Sequence, residues 1–208
     1  FNPIPLVFSR APLLGLDRSK TIAVNQVSFN SPPNRENRSM SKPRYFYKKG
    51  ELANGGWDVI VDGSLPGWKH TGTRVATLSG GKSFEISADK VERLIWPLEG
   101  EGIVVDYIVN SESKSQKLAG RKSVFHGPTD VLYLSIDTSI KISGTGRFII
   151  AEAPAKNSFP DKYIPAKSVP VFSRGAGPAS RQVHNFGDPS ELAADRFIVV
   201  EIIVPAGN

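Results

Sequence analysis

Apolar residues in this chain fall in short runs broken by glycine, proline and polar clusters. Runs at residues 57–62, 71–78, 82–86, 91–98, 103–109, 139–143, 147–152, 180–186 and 196–204 are dense in β-branched and aromatic residues or alternate with polar ones. They read as strands. The stretch 120–134 organises the middle of the chain as strand, tight turn and strand. Val124 and Phe125 end the first run, Gly127-Pro128-Thr129-Asp130 breaks it, and Val131-Leu132-Tyr133-Leu134 follows. Gly80-Gly81 reads as a hairpin turn, and Gly100-Glu101-Gly102 and Gly144-Thr145-Gly146 as further turns. Pro97 belongs at a bulge, an edge or a strand end. No amphipathic helix of useful length is visible; residues 189–195 offer one or two turns at most. About eight to ten short strands between residues 57 and 152 predict an all-β fold, a jelly roll or barrel, whose closure removes exposed sheet edges.

This pattern divides the chain into three. Residues 1–43 form a basic leader rich in proline and asparagine, expected to be partly flexible. Residues 44–153 form the first β-barrel. Residues 154–208 supply a connector, with Pro160, Pro165 and Pro170 favouring extended chain, and then further strands. The last of these, 196–204, is the most apolar and needs cover. The first barrel, a partner subunit or a second domain beyond these strands would each supply it, and the third fits the sequence best. An exposed apolar strand of this kind also predicts a homo-oligomer.

Charge and composition narrow the partners. The net charge is +6, but residues 1–50 hold nine Lys or Arg against Asp17 and Glu36. The basic surplus thus sits in the leader, and a nucleic-acid partner is not expected for the domain. With Cys 0, disulfides, thiolate chemistry and cysteine metal sites are excluded, which suits a cytoplasmic protein. No apolar run approaches the roughly 20 residues needed to cross a bilayer, and prolines interrupt the start where a signal peptide would lie.

The chemistry-bearing residues are sparse. His70, His126 and His184 stand far apart, with no His-x-His or His-Glu pair, so no metal ligands are assigned. Asp106, Asp130, Glu152 and Glu201 sit among apolar residues and are expected to face outward on half-solvated strands. The densest polar run is Arg181-Gln182-Val183-His184-Asn185-Phe186. By period 2, Gln182, His184 and Phe186 share one face, and Arg181, Val183 and Asn185 the other. With Arg174 upstream, Arg181 and His184 suit a sugar-acid pocket, since arginine grips carboxylates and histidine moves protons near neutral pH. The same residues equally suit a stitch between two sheets.

Several longer segments resemble the 5-deoxy-glucuronate isomerase family of myo-inositol catabolism. They are residues 47–57 (Tyr-Lys-Lys-Gly-Glu-Leu-Ala-Asn-Gly-Gly-Trp), the stretch 120–134, Tyr163-Ile164-Pro165, residues 174–177 (Arg-Gly-Ala-Gly) and residues 180–187 (Ser-Arg-Gln-Val-His-Asn-Phe-Gly). The resemblance implies a cupin-like jelly-roll barrel with the opening strands of a second cupin. It implies an aldose–ketose isomerase that interconverts 5-deoxy-D-glucuronate and 2-deoxy-5-keto-D-gluconate by metal-assisted proton transfer. It places Arg181 and Arg174 at the substrate carboxylate and gives His184 a catalytic role. Complete members are expected to hold a divalent metal, zinc or manganese. The His- and Glu-rich segment that supplies its ligands has no counterpart here. Pro178-Ala179 also departs from the family's Asn-Cys pair. The 208-residue form is therefore expected to bind no metal and to be inactive alone. A non-catalytic structural or assembly module is the other reading.

Overall fold

The structure, a computed structural model, describes residues 44–187, 189 and 192–206. The leader assigned to residues 1–43 lies outside them. The described strands are β1 (Val59–Val61), β2 (Gly72–Leu78), β3 (Phe84–Ile86), β4 (Val91–Val109), β5 (Glu112–Ala119), β6 (Val131–Leu134), β7 (Ser139–Pro154), β8 (Lys162–Ile164), β9 (Val171–Arg174), β10 (Arg181–Asn185) and β11 (Val200–Ile203). Two single 3-10 turns, Ala166–Ser168 and Gly177–Ala179, are the helical elements among the described residues.

The long strands β4 and β7 are the spine. They pair antiparallel from Val91↔Pro154 to Ile108↔Ser139. Six shorter strands join them in an eight-stranded sheet of order β1-β2-β7-β4-β6-β8, with β3 alongside β7 and β5 alongside β4. The last three strands make a separate antiparallel sheet of order β11-β10-β9.

The all-β expectation holds, but the closed jelly-roll barrel does not. The large sheet is open, with β1 and β8 at its two ends, and neither sheet closes on itself. Closure needs the outermost strands to pair, and these two are short and stand at opposite ends of the order. Instead β4 and β7 bend. One apolar cluster gathers Ile95 and Ile103 from both halves of β4 with Leu118, Leu132, Ile142 and Phe148, so the sheet curls around that core.

The bend has a specific cause. Gly100-Glu101-Gly102 and Gly144-Thr145-Gly146 are not chain reversals, as the sequence had implied: the first is a bulge inside β4, and the second runs unbroken through β7 opposite it. Gly100 lies opposite Gly146 and Ile103 opposite Gly144, with register shifts at Pro97/Glu99 and Gly100/Gly102. Gly100 and Gly146 hold φ of 115° and 132°, which disfavours any side chain. A Cβ on Gly146 would fall 2.3 Å from the Glu99 carbonyl oxygen. Each bulge bends the ladder without ending it.

Other elements also differ from expectation. Residues 121–130 form an irregular loop, not a strand and turn, and Phe125 at its tip is exposed. Gly80-Gly81 does not close a β2–β3 hairpin; both strands pair with β7 instead. The polar residues after Val109 form β5, joined to β4 through Asn110 and Ser111 at φ of 51° and 66°. These positive values suit the primed turns that link twisted strands. The proline-spaced connector contains β8 and β9.

Both faces of the large sheet are covered. Ile95, Ile150, Leu132 and Leu134 face the inner cluster. Their neighbours Leu94, Trp96, Ile149, Ala151, Val131 and Tyr133 face a second one, with Ile164, Phe186, Leu192, Phe197 and Val199. Burial on both sides explains why these strands read as unbroken apolar runs. It also answers part of the question posed by residues 196–204, since Phe197 and Val199 pack on the large sheet.

Replacing Gly146 by alanine is expected to destabilise the fold by about 3 kcal/mol or more, from a forced positive φ plus backbone overlap. Urea unfolding of the soluble fraction measures it. A loss below about 1 kcal/mol would show that the bulge is not a constraint.

Candidate functional site

The two sheets meet at a buried polar network. Arg121, in the loop after β5, is buried and reaches Glu201 on β11 through two bonds, Nη1–H to Oε2 at 2.9 Å and Nη2–H to Oε1 at 2.6 Å. The same guanidinium donates to the carbonyl of Gly127 at 2.7 Å and of Leu98 at 3.2 Å. It therefore fixes both the loop and β4. Glu201 pairs in register with His184 on β10, and His184 Nδ1 lies 2.9 Å from Glu201 Oε2. His184 Nε2 lies 3.0 Å from the side-chain amide of Gln182. His184 and Glu201 are 0% and 1% exposed.

Burial alone pushes the Glu201 carboxyl up. The bonds from His184 and Arg121 and the guanidinium charge outweigh it and hold Glu201 below the usual carboxylate range. Glu92, also fully buried, shifts the other way. Burial raises it above the ordinary value, although Tyr133 Oη–H and the Asp195 and Arg196 amides all donate to it.

Gln182 leads from this network to the surface. It lines an open cleft of ≈ 870 Å³ between the small sheet and the 121–130 loop, with Phe125, Ser173, Arg174, Arg181 and Val204 among the other walls. Arg174 and Arg181 are register partners on adjacent strands. The Arg174 guanidinium rests 5.0 Å from the Phe172 ring centroid, and Arg181 Nη1–H donates to the Ala179 carbonyl at 3.0 Å. Among the described residues neither makes an ion pair, so two like charges face each other across the strands, an arrangement that favours an anion between them.

Of the residues singled out in the sequence, Arg174 and Arg181 come together at the cleft. His184 does not line it; Gln182 stands between. His126 caps its own turn, 3.0 Å from Ser123 Oγ, and His70 is exposed on a loop. The outward-facing expectation is corrected for three carboxylates. Glu152 is buried between Arg93 and Arg74, at 3.0 and 2.9 Å. Asp130 accepts from the Ala119 and Ala166 amides at 2.9 and 2.8 Å. Glu201 is the third. Only Asp106 is exposed as expected. Charged groups enter the interior here because each finds a partner.

The described residues do not fit the divalent metal that the resemblance implies. They contain no group of three or more His, Cys, Asp or Glu able to hold an ion. Both ring nitrogens of His184 are already engaged. No step of a reaction is assigned to an ion.

A family model described as KduI/IolB matches residues 45–208. The chain belongs to the KduI/IolB family. Among its relatives, the 5-deoxy-glucuronate isomerase of Bacillus velezensis is 32% identical over 67% of this chain and 51% of its own length. That of Halalkalibacterium halodurans is 32% identical over 73% and 55%. The crystal structure of an IolB-like protein from Salmonella typhimurium LT2 superposes with a TM-score of 0.66 at 27% identity, over 74% of this chain and 58% of that one. The chain thus spans about half the length of the curated KduI/IolB relatives it matches.

Glu201 gives a pH-dependent test. Its folded value is depressed, so its contribution is full above the unfolded value of about 4.3 and is lost as pH falls through the folded value. Glu201→Gln leaves Arg121 buried without a counter-charge and is expected to cost about 3 kcal/mol at neutral pH. The gap to the parent should narrow as pH drops below about 4. Urea unfolding across that range checks both, and a gap independent of pH contradicts the assignment.

Proposed function

We propose that this chain serves the isomerisation of 5-deoxy-D-glucuronate to 2-deoxy-5-keto-D-gluconate, and that its cleft takes the carboxylate end of the sugar acid. The observation that supports this is the facing pair Arg174 and Arg181, free of acidic partners among the described residues, at the rim of the cleft that Gln182 also lines. The relatives' shared name supplies the substrate class. Residues 44–153 and 154–208 act in this reading as a first cupin-like unit and the opening strands of a second, joined by the Arg121–Glu201 pair.

Aldose–ketose isomerisation needs a base to lift a proton beside a carbonyl and return it to the neighbouring carbon. The cleft walls named among the described residues hold Arg, Ser and Gln, but no Asp, Glu or His. The expectation is therefore that the 208-residue chain binds the sugar acid without turning it over. His184 acts through Gln182 and does not touch the substrate.

A second reading has a specific observation behind it. Phe172, Val183 and Ile202 form a cross-strand row on the outer face of the small sheet, and Phe172 is exposed. This favours a homo-oligomer or an assembly role. Light scattering of the purified chain and of a Phe172→Ser variant separates a dimer through this face from a monomer.

Arg181→Ala is expected to weaken 5-deoxy-D-glucuronate binding at least tenfold, as loss of a charged hydrogen bond worth about 1.5–3 kcal/mol requires. Its stability should be unchanged, because the side chain is exposed. Calorimetric titration reads the affinity and thermal unfolding the fold. Equal affinity in parent and variant, or turnover by the parent chain, would each overturn part of this assignment.

A further inference from the structure

The His184–Gln182 contact carries a consequence for the cleft that the carboxylate reading does not by itself require. Both ring nitrogens of His184 meet side-chain oxygens, Glu201 Oε2 at 2.9 Å and Gln182 Oε1 at 3.0 Å. Two acceptors demand two N–H donors, and an imidazole supplies both only when protonated. A neutral ring donates from Nδ1 to Glu201 and leaves Nε2 as an acceptor. Gln182 must then turn its amide by half a rotation to present NH2 to the ring. The oxygen and nitrogen of such an amide are set by the hydrogen bonds around it.

We propose that Gln182 is a ligand-contact residue whose amide orientation is set by the protonation state of His184. With His184 neutral, Gln182 shows its carbonyl oxygen to the cleft. With His184 protonated, it shows its NH2. The first state repels a carboxylate and the second donates to it, so an anionic ligand and a proton on His184 favour each other. His184 is the positioning residue and Gln182 the one that meets the ligand.

The charges around the ring fit this device. Glu201 faces it from β11, and Arg121 faces Glu201 from the loop, so the buried pair is neutral before His184 takes a proton. On β9 the register partner of His184 is the apolar Val171. Arg174 and Arg181 lie toward the open end of the same strands and keep their charge at any relevant pH. Histidine is the side chain suited to change charge near neutral pH.

The proposal rests on the cleft binding a carboxylate, and the test separates the two. D-glucuronate is titrated into the full 208-residue chain between pH 6 and 8.5, in two buffers of different ionisation enthalpy. Imidazole 15N shifts of the three histidines are read in parallel. The expected result is affinity at least fivefold tighter at the acid end and net proton uptake on binding. The His184 nitrogens should move from the neutral Nδ1–H pattern to the doubly protonated one, and His70 and His126 should not respond. Gln182→Leu should bind with no pH dependence and no proton uptake, at a somewhat lower melting temperature, because the buried His184 Nε2 loses its partner. If that variant fails to fold, the 15N spectrum of the parent chain decides alone. Binding that is lost in Arg181→Ala yet takes up no proton and leaves His184 unchanged overturns this proposal and keeps the cleft. No binding of glucuronate at any pH overturns both.

Discussion

The Arg121–Glu201 pair is the contact on which the rest of the arrangement depends. Removing two charges from water costs several kcal/mol per ion, and only close geometry with further hydrogen bonds recovers it. Here the guanidinium binds both carboxylate oxygens and two carbonyls, and the carboxylate also takes His184. The pair cannot slide, since a shift of one residue on β11 would turn Glu201 to the outer face. It therefore fixes the register of the small sheet against the loop, and through Leu98 against the spine. Glu92 and Asp130 do the same work at two other points. They bind the 195–196 backbone and the Ala166 amide, each pinning a segment beyond β7 to the large sheet. The apolar cluster between the sheets supplies the burial, and three buried carboxylates decide which alignment it takes.

This division of labour governed what the sequence revealed. Strands buried on both faces, such as β6 and the second half of β7, were plain because their apolar residues are consecutive. The bends were misread because glycine at positive φ marks a turn and a bulge equally well, and only the pairing of β4 with β7 tells them apart. A polar run such as β5 carries no apolar signal; its hydrogen bonds to β4 alone make it a strand. The prolines at 160, 165 and 170 pointed to extended chain; β8 lies between the first two and β9 follows the third. Openness of the sheet was not legible either, because closure depends on which strands pair last, and counting strands cannot show that.

The candidate site was legible in part. Arg181 and His184 stood out in a dense polar run, with Arg174 upstream of it. Arg121 and Glu201 did not, since the first sat in a segment read as strand and the second in a run of valines and isoleucines. A signal was present all the same. Phe197, Val199 and Glu201 occupy alternate positions and all three are buried. A charged residue in phase with a buried apolar face needs a counter-charge from another element. Period-2 phase, applied to Glu201 as it was to residues 181–186, would have turned it inward and raised the question of its partner.

The position of the cleft follows from the same join. An anion site needs donors held in place before the ligand arrives, because donors that must first be ordered contribute less to binding. Arg174 and Arg181 are exposed, and the groups that hold them, the Phe172 ring and the Ala179 carbonyl, are exposed as well. Gln182 is different, since its amide is tied to a ring that is tied to a carboxylate gripped by Arg121. The most preorganised donor at the cleft is therefore the neutral one. Its orientation is inherited from the contact that holds the two sheets together. Whatever loosens that contact must loosen the cleft, so fold stability and ligand affinity are expected to fail together along the line from Arg121 to Gln182, and separately at the two arginines.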